Sequence, residues 1–148
     1  MKQDTNTNWH ITVCDWSTSD QALMYVRRIV FIDEQCVPEE LEWDEFDAIS
    51  WHLLVADTGG NPIATGRLQP DGKITRIAVV PEWRRRGVAD AMLTHLKQLA
   101  TENGISRLFM HAQTSAIELY LRHGFSTAGS EFDEAGIPHI EMTYEAPQ

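Results

Sequence analysis

The stretch Ile77-Ala-Val-Val-Pro-Glu-Trp-Arg-Arg-Arg-Gly-Val-Ala89 decides the fold of this chain. Its pattern predicts a buried strand that passes through a basic turn with a glycine into a helix. Unpaired N–H groups at a helix start attract anions, and the small residues Gly87 and Ala89 let a phosphate approach the backbone. A solvated basic turn is the alternative, but the position between a strand and a long helix favours an anion-binding loop.

Apolar patterns on both sides of this stretch predict the other elements. Alternating residues indicate strands, and apolar residues at helical spacing indicate helices, with glycine and proline at the turns between them. The predicted order is βααβββαβαββ, a mixed α/β fold in which the strand–helix–strand unit at 73–112 requires a parallel crossover. The predicted strands are 9–16, 51–56, 62–68, 73–80, 105–112, 125–132 and 137–144. The predicted helices run from about Ser19 to Gln35, from Pro38 to near Phe46, over about 15 residues after the basic turn until Gly104, and from Ser115 to Arg122.

Length and composition exclude several classes of protein. The 148 residues can bury one core, so residues 1–148 are expected to form a single domain. The net charge is −10, from 22 acidic and 12 basic residues, which disfavours binding to a nucleic-acid backbone. No apolar run approaches the roughly 18 residues of a membrane helix. Only two cysteines and a polar start without a signal-peptide pattern indicate the cytoplasm.

Two motifs in the correct order resemble those of the GNAT superfamily of acyl-CoA N-acyltransferases. The pyrophosphate loop of that family, Gln/Arg-x-x-Gly-x-Gly/Ala, has a counterpart in Arg84-Arg-Arg-Gly-Val-Ala89. The segment Ala116-Ile-Glu-Leu-Tyr-Leu-Arg-His-Gly-Phe125 is similar to its Ala-x-x-x-Tyr-x-x-x-Gly-Phe stretch. More narrowly, residues 30–47, Ala112-Gln113 and Gly136-Ile-Pro-His139 resemble the ElaA-type branch.

The resemblance implies a mostly antiparallel sheet of about seven strands, flanked by helices and splayed between the fourth and fifth strands. It implies acetyl-CoA as acyl donor, with its pantetheine arm in the splay on the backbone of Ala78 and Val80, and its pyrophosphate on the amides of residues 86–89. For residues 77–80 taken alone, an ordinary core strand is the alternative. The expected cofactor-binding residues are Ala78, Val79, Val80, Arg84, Arg85, Arg86, Gly87, Val88 and Ala89.

The same resemblance proposes an acid but leaves the base open. Tyr120 matches the tyrosine that donates a proton to the departing CoA thiolate, although its helical spacing with Ile117 also fits a packing residue. The fourth strand carries no glutamate to serve as the base. His111 and His139 are the candidates, with Glu34, or water without a dedicated base, as alternatives.

Eight carboxylates and no basic residue lie between Asp33 and Asp47. A solvated helix face, with acids at the positive end of the dipole, explains most of them. In the family this region borders the acceptor site, where carboxylates among aromatic residues could attract a cationic amine. Glu34, Glu42 and Trp43 are therefore the candidates for acceptor binding.

The sequence thus predicts an N-acetyltransferase that moves an acetyl group from acetyl-CoA to a primary amine, on a small molecule or a lysine-bearing acceptor, by direct attack in a ternary complex. No metal is expected, since the six histidines show no His-x-x-x-His spacing and no Cys-x-x-Cys is present. The alternative is a non-catalytic acyl-CoA-binding or sensor module. No nucleic-acid or membrane partner is expected, and exposed strands leave room for a homodimer.

Overall fold

The computed structural model describes residues 8–147, and within them the predicted order βααβββαβαββ is confirmed. The expectation of no signal peptide rests on residues 1–8, of which residues 1–7 lie outside the described residues. A π-helical segment, Arg28–Glu34, continues the first helix, and short 3-10 turns cover Pro81–Trp83 and Thr114–Ala116. The helices are α1 (Trp16–Arg27), α2 (Glu39–Glu42), α3 (Val88–Glu102) and α4 (Ile117–Arg122). The strands are β1 (Trp9–Cys14), β2 (Trp51–Asp57), β3 (Pro62–Leu68), β4 (Ile74–Val79), β5 (Arg107–Gln113), β6 (Ser126–Glu134) and β7 (Ile137–Glu145).

The strands form two antiparallel sheets that meet at one point. One sheet has the order β1-β2-β3-β4 and the other the order β5-β7-β6. A parallel bridge joins Lys73 to Phe109, whose N–H donates to the Gly72 carbonyl over 3.1 Å. Gly72 is required there, because a Cβ would overlap the Arg107 carbonyl oxygen. Beyond this bridge no ladder joins β4 to β5 in the described part of the chain, which confirms the predicted splay.

A β-bulge bends β4 where the two sheets begin to separate. The pairing of β3 with β4 shifts between Thr65 and Arg67, and Arg76 opposite takes a positive φ of 59°. The Thr65 hydroxyl donates to the Arg76 carbonyl over 3.2 Å, which holds the bulge. Bulges re-aim a strand and its side chains, so this one helps to turn the end of β4 away from β5.

The core lies between the sheets and the helices α1 and α3. Helix α3 buries a continuous apolar face, because its large residues recur every three or four positions. Leu23 and Val26 of α1 are buried in the same way. The fully buried side chains around them include Leu53, Leu68, Leu93, Leu96, Leu108 and Met142.

The first two helices differ from the prediction. Helix α1 begins at Trp16 rather than near Ser19, because the Asp15 carboxylate caps it by accepting from the Thr18 N–H over 3.1 Å. It ends at Arg27 and gives way to the π-helical segment, a widening that helical spacing in the sequence cannot show. Helix α2 ends at Glu42 rather than near Phe46, with Pro38 as its N-cap.

Carboxylates stop α2 early and build a buried ion cluster. The Asp44 N–H donates to the Asp47 carboxylate over 3.1 Å, so side chains replace the helical hydrogen bonds. The interpretation of the acidic segment as a solvated face holds for exposed members such as Glu39 and Glu45, but it is wrong for Glu42 and Asp47, which are buried. Arginines from three elements pair with them; the cluster consists of Arg27, Arg67, Arg76, Glu42, Asp44 and Asp47.

Among residues 8–147, the helices are all too short or too polar to cross a membrane.

Candidate active site

A cleft of about 1010 Å³ opens between β4 and β5, with the π-helical segment on one side and α4 and the β6–β7 turn on the other. The splay creates it, because two parallel neighbours that stop pairing expose their facing edges. It brings together residues that the sequence analysis proposed separately: Glu34, Glu42, Ala78, Val79, Arg84, His111, Tyr120 and His139. The other predicted site residues, Trp43, Val80, Arg85, Arg86, Gly87, Val88 and Ala89, are not among its lining residues.

The edge of β4 that faces the cleft is shifted by one residue from the prediction. The Val80 N–H donates to the Ile63 carbonyl over 3.0 Å, so it is engaged toward β3. Backbone groups of successive strand residues point to opposite sides, so Ala78 has the orientation of Val80 and Val79 points the other way. The Val79 carbonyl indeed accepts from the Arg84 side chain, over 2.9 Å. This corrects the expectation that Ala78 and Val80 offer their backbone groups in the splay.

The predicted pyrophosphate loop joins β4 to α3 by way of two residues with positive φ. Arg85 has φ of 63° and Gly87 has φ of 84°, a conformation that glycine adopts without strain. Arg85, Arg86 and Gly87 are exposed and Val88 is buried. The Ala91 N–H donates to the Gly87 carbonyl over 3.0 Å, so the amides before it, at the start of α3, have no partner within the helix. The Arg86 guanidinium lies over the Trp83 ring, 4.6 Å from its centroid. The loop therefore presents unpaired N–H groups beside two exposed positive charges.

Arg84 points into the cleft, unlike its two neighbours. Its guanidinium nitrogens donate to both carboxylate oxygens of Glu34, over 2.8 and 2.6 Å. Hydrogen bonds from Arg84 lower the pKa of the Glu34 carboxyl, which keeps it ionised. Two residues proposed for different ligands, Arg84 for the cofactor and Glu34 for the acceptor, thus form one ion pair across the cleft.

A pair of amides closes the same wall of the cleft. The Gln35 and Gln113 side chains exchange hydrogen bonds over 3.0 and 3.4 Å, linking the end of the π-helical segment to the end of β5. Gln113 was named before only in a segment that resembles the ElaA-type branch, and Gln35 only as the predicted end of the first helix. Neither residue was predicted to belong to the site. Their contact spans 78 positions of the chain, so local pattern gives no sign of it.

Tyr120 lies on α4 with its ring in the core and lines the cleft. Its ring packs edge to face against Phe125, with centroids 6.2 Å apart. Burial raises the pKa of Tyr120 to about 12, because the phenolate would lose its hydration. The hydroxyl therefore keeps its proton throughout the neutral range and can donate a hydrogen bond to a developing anion.

The two candidate histidines meet at one aromatic ring. The His111 ring contacts Phe132 edge to face at 5.1 Å, and the His139 ring stacks on Phe132 at 6.0 Å. His111 Nδ1 lies 2.9 Å from the Glu134 carboxylate, and His139 Nδ1 lies 2.7 Å from the Ile137 carbonyl. The sequence analysis missed Phe132 and Glu134, since neither belongs to a motif and β6 carries no strong periodicity.

The functional groups of Glu42 and Trp43 are engaged by other side chains, although Glu42 lines the cleft. The side chain of Glu42 is only 3% exposed and pairs with Arg27 over 3.0 Å. Burial raises the pKa of the Glu42 carboxyl although the neighbouring arginines lower it. Trp43 donates from Nε1 to Glu39 over 3.2 Å, and the Arg27 guanidinium lies 5.2 Å from its ring centroid. The structure therefore brings Glu34 to the cleft with a functional group that faces it, but not Trp43.

In the part of the chain that the structure describes, no three histidine, cysteine, aspartate or glutamate side chains converge as a metal site.

Comparisons with known proteins agree with this fold and cleft. Residues 16–146 match the model of the acetyltransferase (GNAT) domain, so the chain belongs to the GNAT family and is an acetyltransferase. It is 39% identical over 122 residues to the uncharacterized N-acetyltransferase YjcF of Bacillus subtilis, covering 80% of this chain and 86% of that protein.

Two solved structures share the fold over nearly their whole length. Escherichia coli ElaA superposes with a TM-score of 0.82 at 23% identity, covering 92% of this chain and 99% of that one. An acyl-CoA N-acyltransferase from Pseudomonas aeruginosa gives a TM-score of 0.82 at 25% identity, with 92% and 99% covered. The predicted resemblance to the GNAT superfamily, with ElaA among the structural neighbours, is confirmed.

Proposed function

We propose that this acetyltransferase moves an acetyl group from acetyl-CoA to a primary amine by direct attack within a ternary complex. The observation that carries the proposal is the convergence of Val79, Tyr120 and two histidines on the cleft between the splayed strands. A strand edge without a partner strand, a proton donor and proton acceptors are what direct aminolysis of a thioester bound along that edge needs. Such a reaction requires no covalent enzyme intermediate.

The donor site is proposed along β4 and the loop that follows it. The pantetheine arm would bind the cleft edge of β4 at Val79, whose carbonyl faces that way. The amides at the start of α3, which have no partner within the helix, would hold the pyrophosphate, with Arg85 and Arg86 as charged partners. A similar structure, a GNAT family acetyltransferase from Elizabethkingia anophelis, holds acetyl-CoA, which supports the same donor here.

Tyr120 is proposed as the group that meets the leaving thiolate. Its hydroxyl is protonated at neutral pH, and the residue lines the cleft. When the amine nitrogen bonds to the thioester carbonyl carbon and the C–S bond breaks, negative charge develops on sulfur, where a donated hydrogen bond stabilises it. A histidine takes the proton that the ammonium must lose before it can attack.

The acceptor is proposed as a small primary amine or a lysine side chain. Glu34 stays a candidate for acceptor binding, because its carboxylate lies in the cleft even while it pairs with Arg84. Glu42 and Trp43 are not carried forward, since their functional groups are taken up by other side chains. We also place the enzyme in the cytoplasm as one domain, in keeping with two free cysteines, and the homodimer stays a prediction.

Release of CoA thiol from acetyl-CoA tests the proposal. The purified protein is mixed with polyamines, amino acids, aminoglycosides and lysine peptides in turn, and the background from Cys14 and Cys36 is subtracted. We expect thiol release that depends on one class of amine, with the acetylated amine found by mass spectrometry. Tight acetyl-CoA binding by calorimetry without turnover on any amine would instead favour the sensor module.

A further inference from the structure

We propose that Glu134 is a positioning residue for His111, and that this pair makes His111, rather than His139, the base that takes the proton from the acceptor amine. The inference rests on the proposed function and adds to it the identity of the base. Three strands build the pair: His111 lies on β5, Glu134 ends β6, and β7 runs between them.

The contact with Glu134 fixes the state of the His111 ring. An ionised carboxylate only accepts hydrogen bonds, so Nδ1, at 2.9 Å from Glu134 Oε1, carries the hydrogen. In the neutral ring Nε2 then keeps its lone pair, as a base requires. Phe132 supports the ring from the side at 5.1 Å, so a hydrogen bond and an aromatic contact together hold its orientation. The His111 side chain is 30% exposed, which leaves it within reach of an amine in the cleft.

His139 has the same tautomer but lacks the counter-charge. Its Nδ1 donates to the Ile137 carbonyl over 2.7 Å, and the residue is only 6% exposed. A proton accepted by His139 would create a buried imidazolium whose hydrogen-bond partner is a neutral carbonyl, and burying an uncompensated charge is costly. A proton accepted by His111 forms an ion pair with Glu134 instead. The two rings therefore differ in what happens after the proton arrives.

Other charged or titratable groups surround His111 and bear on its protonation. Glu141 lies opposite His111 in the β5–β7 register, so both side chains share one face of the sheet. The other charged or titratable residues that line the cleft are His139 on β7, Tyr120 on α4, Lys73 and Asp71 before β4, the ion pair of Arg84 with Glu34, and four members of the buried ion cluster, Glu42, Asp44, Arg67 and Arg76. Glu134 differs from all of them by its direct hydrogen bond to the His111 ring.

Every proton and bond in the acetyl transfer is accounted for when His111 is the base. His111 Nε2 takes one proton from the ammonium, and the freed lone pair bonds to the thioester carbonyl carbon. The C–S bond breaks, its electron pair stays on sulfur, and the Tyr120 hydroxyl supplies the proton that makes CoA thiol. The amide nitrogen loses its second proton, which restores Tyr120 by way of solvent, and His111 returns its proton to solvent. One proton is released for each acetyl group transferred.

The pH dependence of kcat/KM for the best amine tests the pair in Glu134→Gln. Without the carboxylate the His111 imidazolium loses its counter-charge, so the acidic limb of the pH profile of kcat/KM should move to lower pH, and kcat/KM at pH 8 should fall about tenfold. Glu131→Gln is the matched control, because Glu131 is an exposed glutamate on the same strand that does not line the cleft. It removes the same charge and should leave the limb in place.

Three further variants make the result decisive. His111→Gln should abolish the acidic limb in the accessible range, whereas His139→Gln should keep it at the wild-type position. The pairing of His111 with Glu134 is overturned if the acidic limb of kcat/KM stays fixed in Glu134→Gln, or if it moves more in Glu141→Gln. In either case, turnover by the wild-type protein would leave the proposed function standing. A wild-type protein that acetylates no amine overturns both. Unchanged acetyl-CoA affinity by calorimetry shows that each variant is folded.

Discussion

Arg84 and Glu34 form a two-pronged ion pair, at 2.6 and 2.8 Å, that joins the start of the pyrophosphate loop to the end of the π-helical segment. The same guanidinium holds the Val79 carbonyl through Nε. One side chain therefore connects the loop, the strand edge and the opposite wall of the cleft. The rigidity of the donor site should depend on it.

Removing Arg84 should weaken acetyl-CoA binding. In Arg84→Ala the loop loses its anchor to Val79 and Glu34, and Glu34 is left as an unpaired negative charge near the pyrophosphate. We expect the dissociation constant measured by calorimetry to rise about fivefold, the scale of a partly exposed charged interaction. Arg107→Ala, which removes the same charge from an exposed side chain outside the cleft, should bind as wild type. Equal losses in the two variants would show a general charge effect instead.

Replacing Gly87 should separate backbone strain from cofactor binding. A Cβ at Gly87 meets nothing within 4 Å, so Gly87→Ala acts through its φ of 84° alone. We expect it to lower the free energy of unfolding by about 1 kcal/mol and to weaken acetyl-CoA binding. Gly60 has φ of 85° in equally open space in the β2–β3 turn, so Gly60→Ala should cost the same stability and leave binding intact.

Tyr120→Phe should reduce turnover and spare binding. The substitution keeps the buried ring and its contact with Phe125 but removes the hydroxyl that meets the leaving thiolate. We expect kcat to fall about 100-fold, with little change in acetyl-CoA affinity. Tyr144→Phe is the control, since Tyr144 packs on the same Phe125 ring at 5.3 Å without lining the cleft. Unchanged turnover in Tyr120→Phe would remove Tyr120 from the mechanism.

The buried ion cluster should be sensitive to the loss of Asp47. Asp47 Oδ1 accepts from Arg27 and from Arg67, each over 2.7 Å, so Asp47→Asn leaves two buried arginines undercompensated. We expect the free energy of unfolding in urea at pH 7 to fall by about 3–5 kcal/mol. Glu42→Gln should cost less, because burial raises the pKa of the Glu42 carboxyl whereas that of Asp47 is lowered, so folding favours the ionised form less at Glu42 than at Asp47. Glu45→Gln, at an exposed position, should leave stability unchanged.

The cost of Asp47→Asn should also depend on pH. Burial by itself would raise the pKa of Asp47, but the hydrogen bond and charge of Arg27 lower it overall. A carboxyl with a lowered pKa stabilises the fold at pH values above its unfolded pKa of about 3.9, and this contribution is lost as pH falls through the folded value. The difference in unfolding free energy between wild type and Asp47→Asn should therefore shrink below about pH 4. A constant difference down to pH 2 would contradict this assignment.

The sequence predicted most accurately those parts of the fold whose cause is local. Helix α3 was predicted from its apolar spacing as about 15 residues that Gly104 ends, and the structure has 15 residues at Val88–Glu102. The three strands of the meander were placed within a residue or two for the same reason, since alternation and turn residues mark them. The predicted bounds of the first helix were less accurate, because neither the Asp15 cap at its start nor the π-helical segment at its end changes the apolar spacing.

The sequence predicted which residues belong to the candidate site but not how they are placed relative to one another. His111, His139 and Tyr120 were named from residue type and resemblance, and their convergence on one cleft had to wait for the structure. The cleft edge was assigned to Ala78 and Val80, whereas pairing with β3 turns Val79 toward the cleft. Glu134 was missed, because it approaches His111 across 23 positions and an intervening strand.

The sequence by itself determined the order of the elements, the loop proposed to bind the pyrophosphate and the residue types available for proton transfer, because these depend on neighbours within one or two helical turns. Only the tertiary structure decided which carboxylates are buried, which strand edge is open and which histidine has a carboxylate partner. Those outcomes depend on the pairing of segments far apart in the chain. Whether Glu42 is a buried ion or a solvated one depends on where Arg27 and Arg76 lie, and no local pattern records that distance.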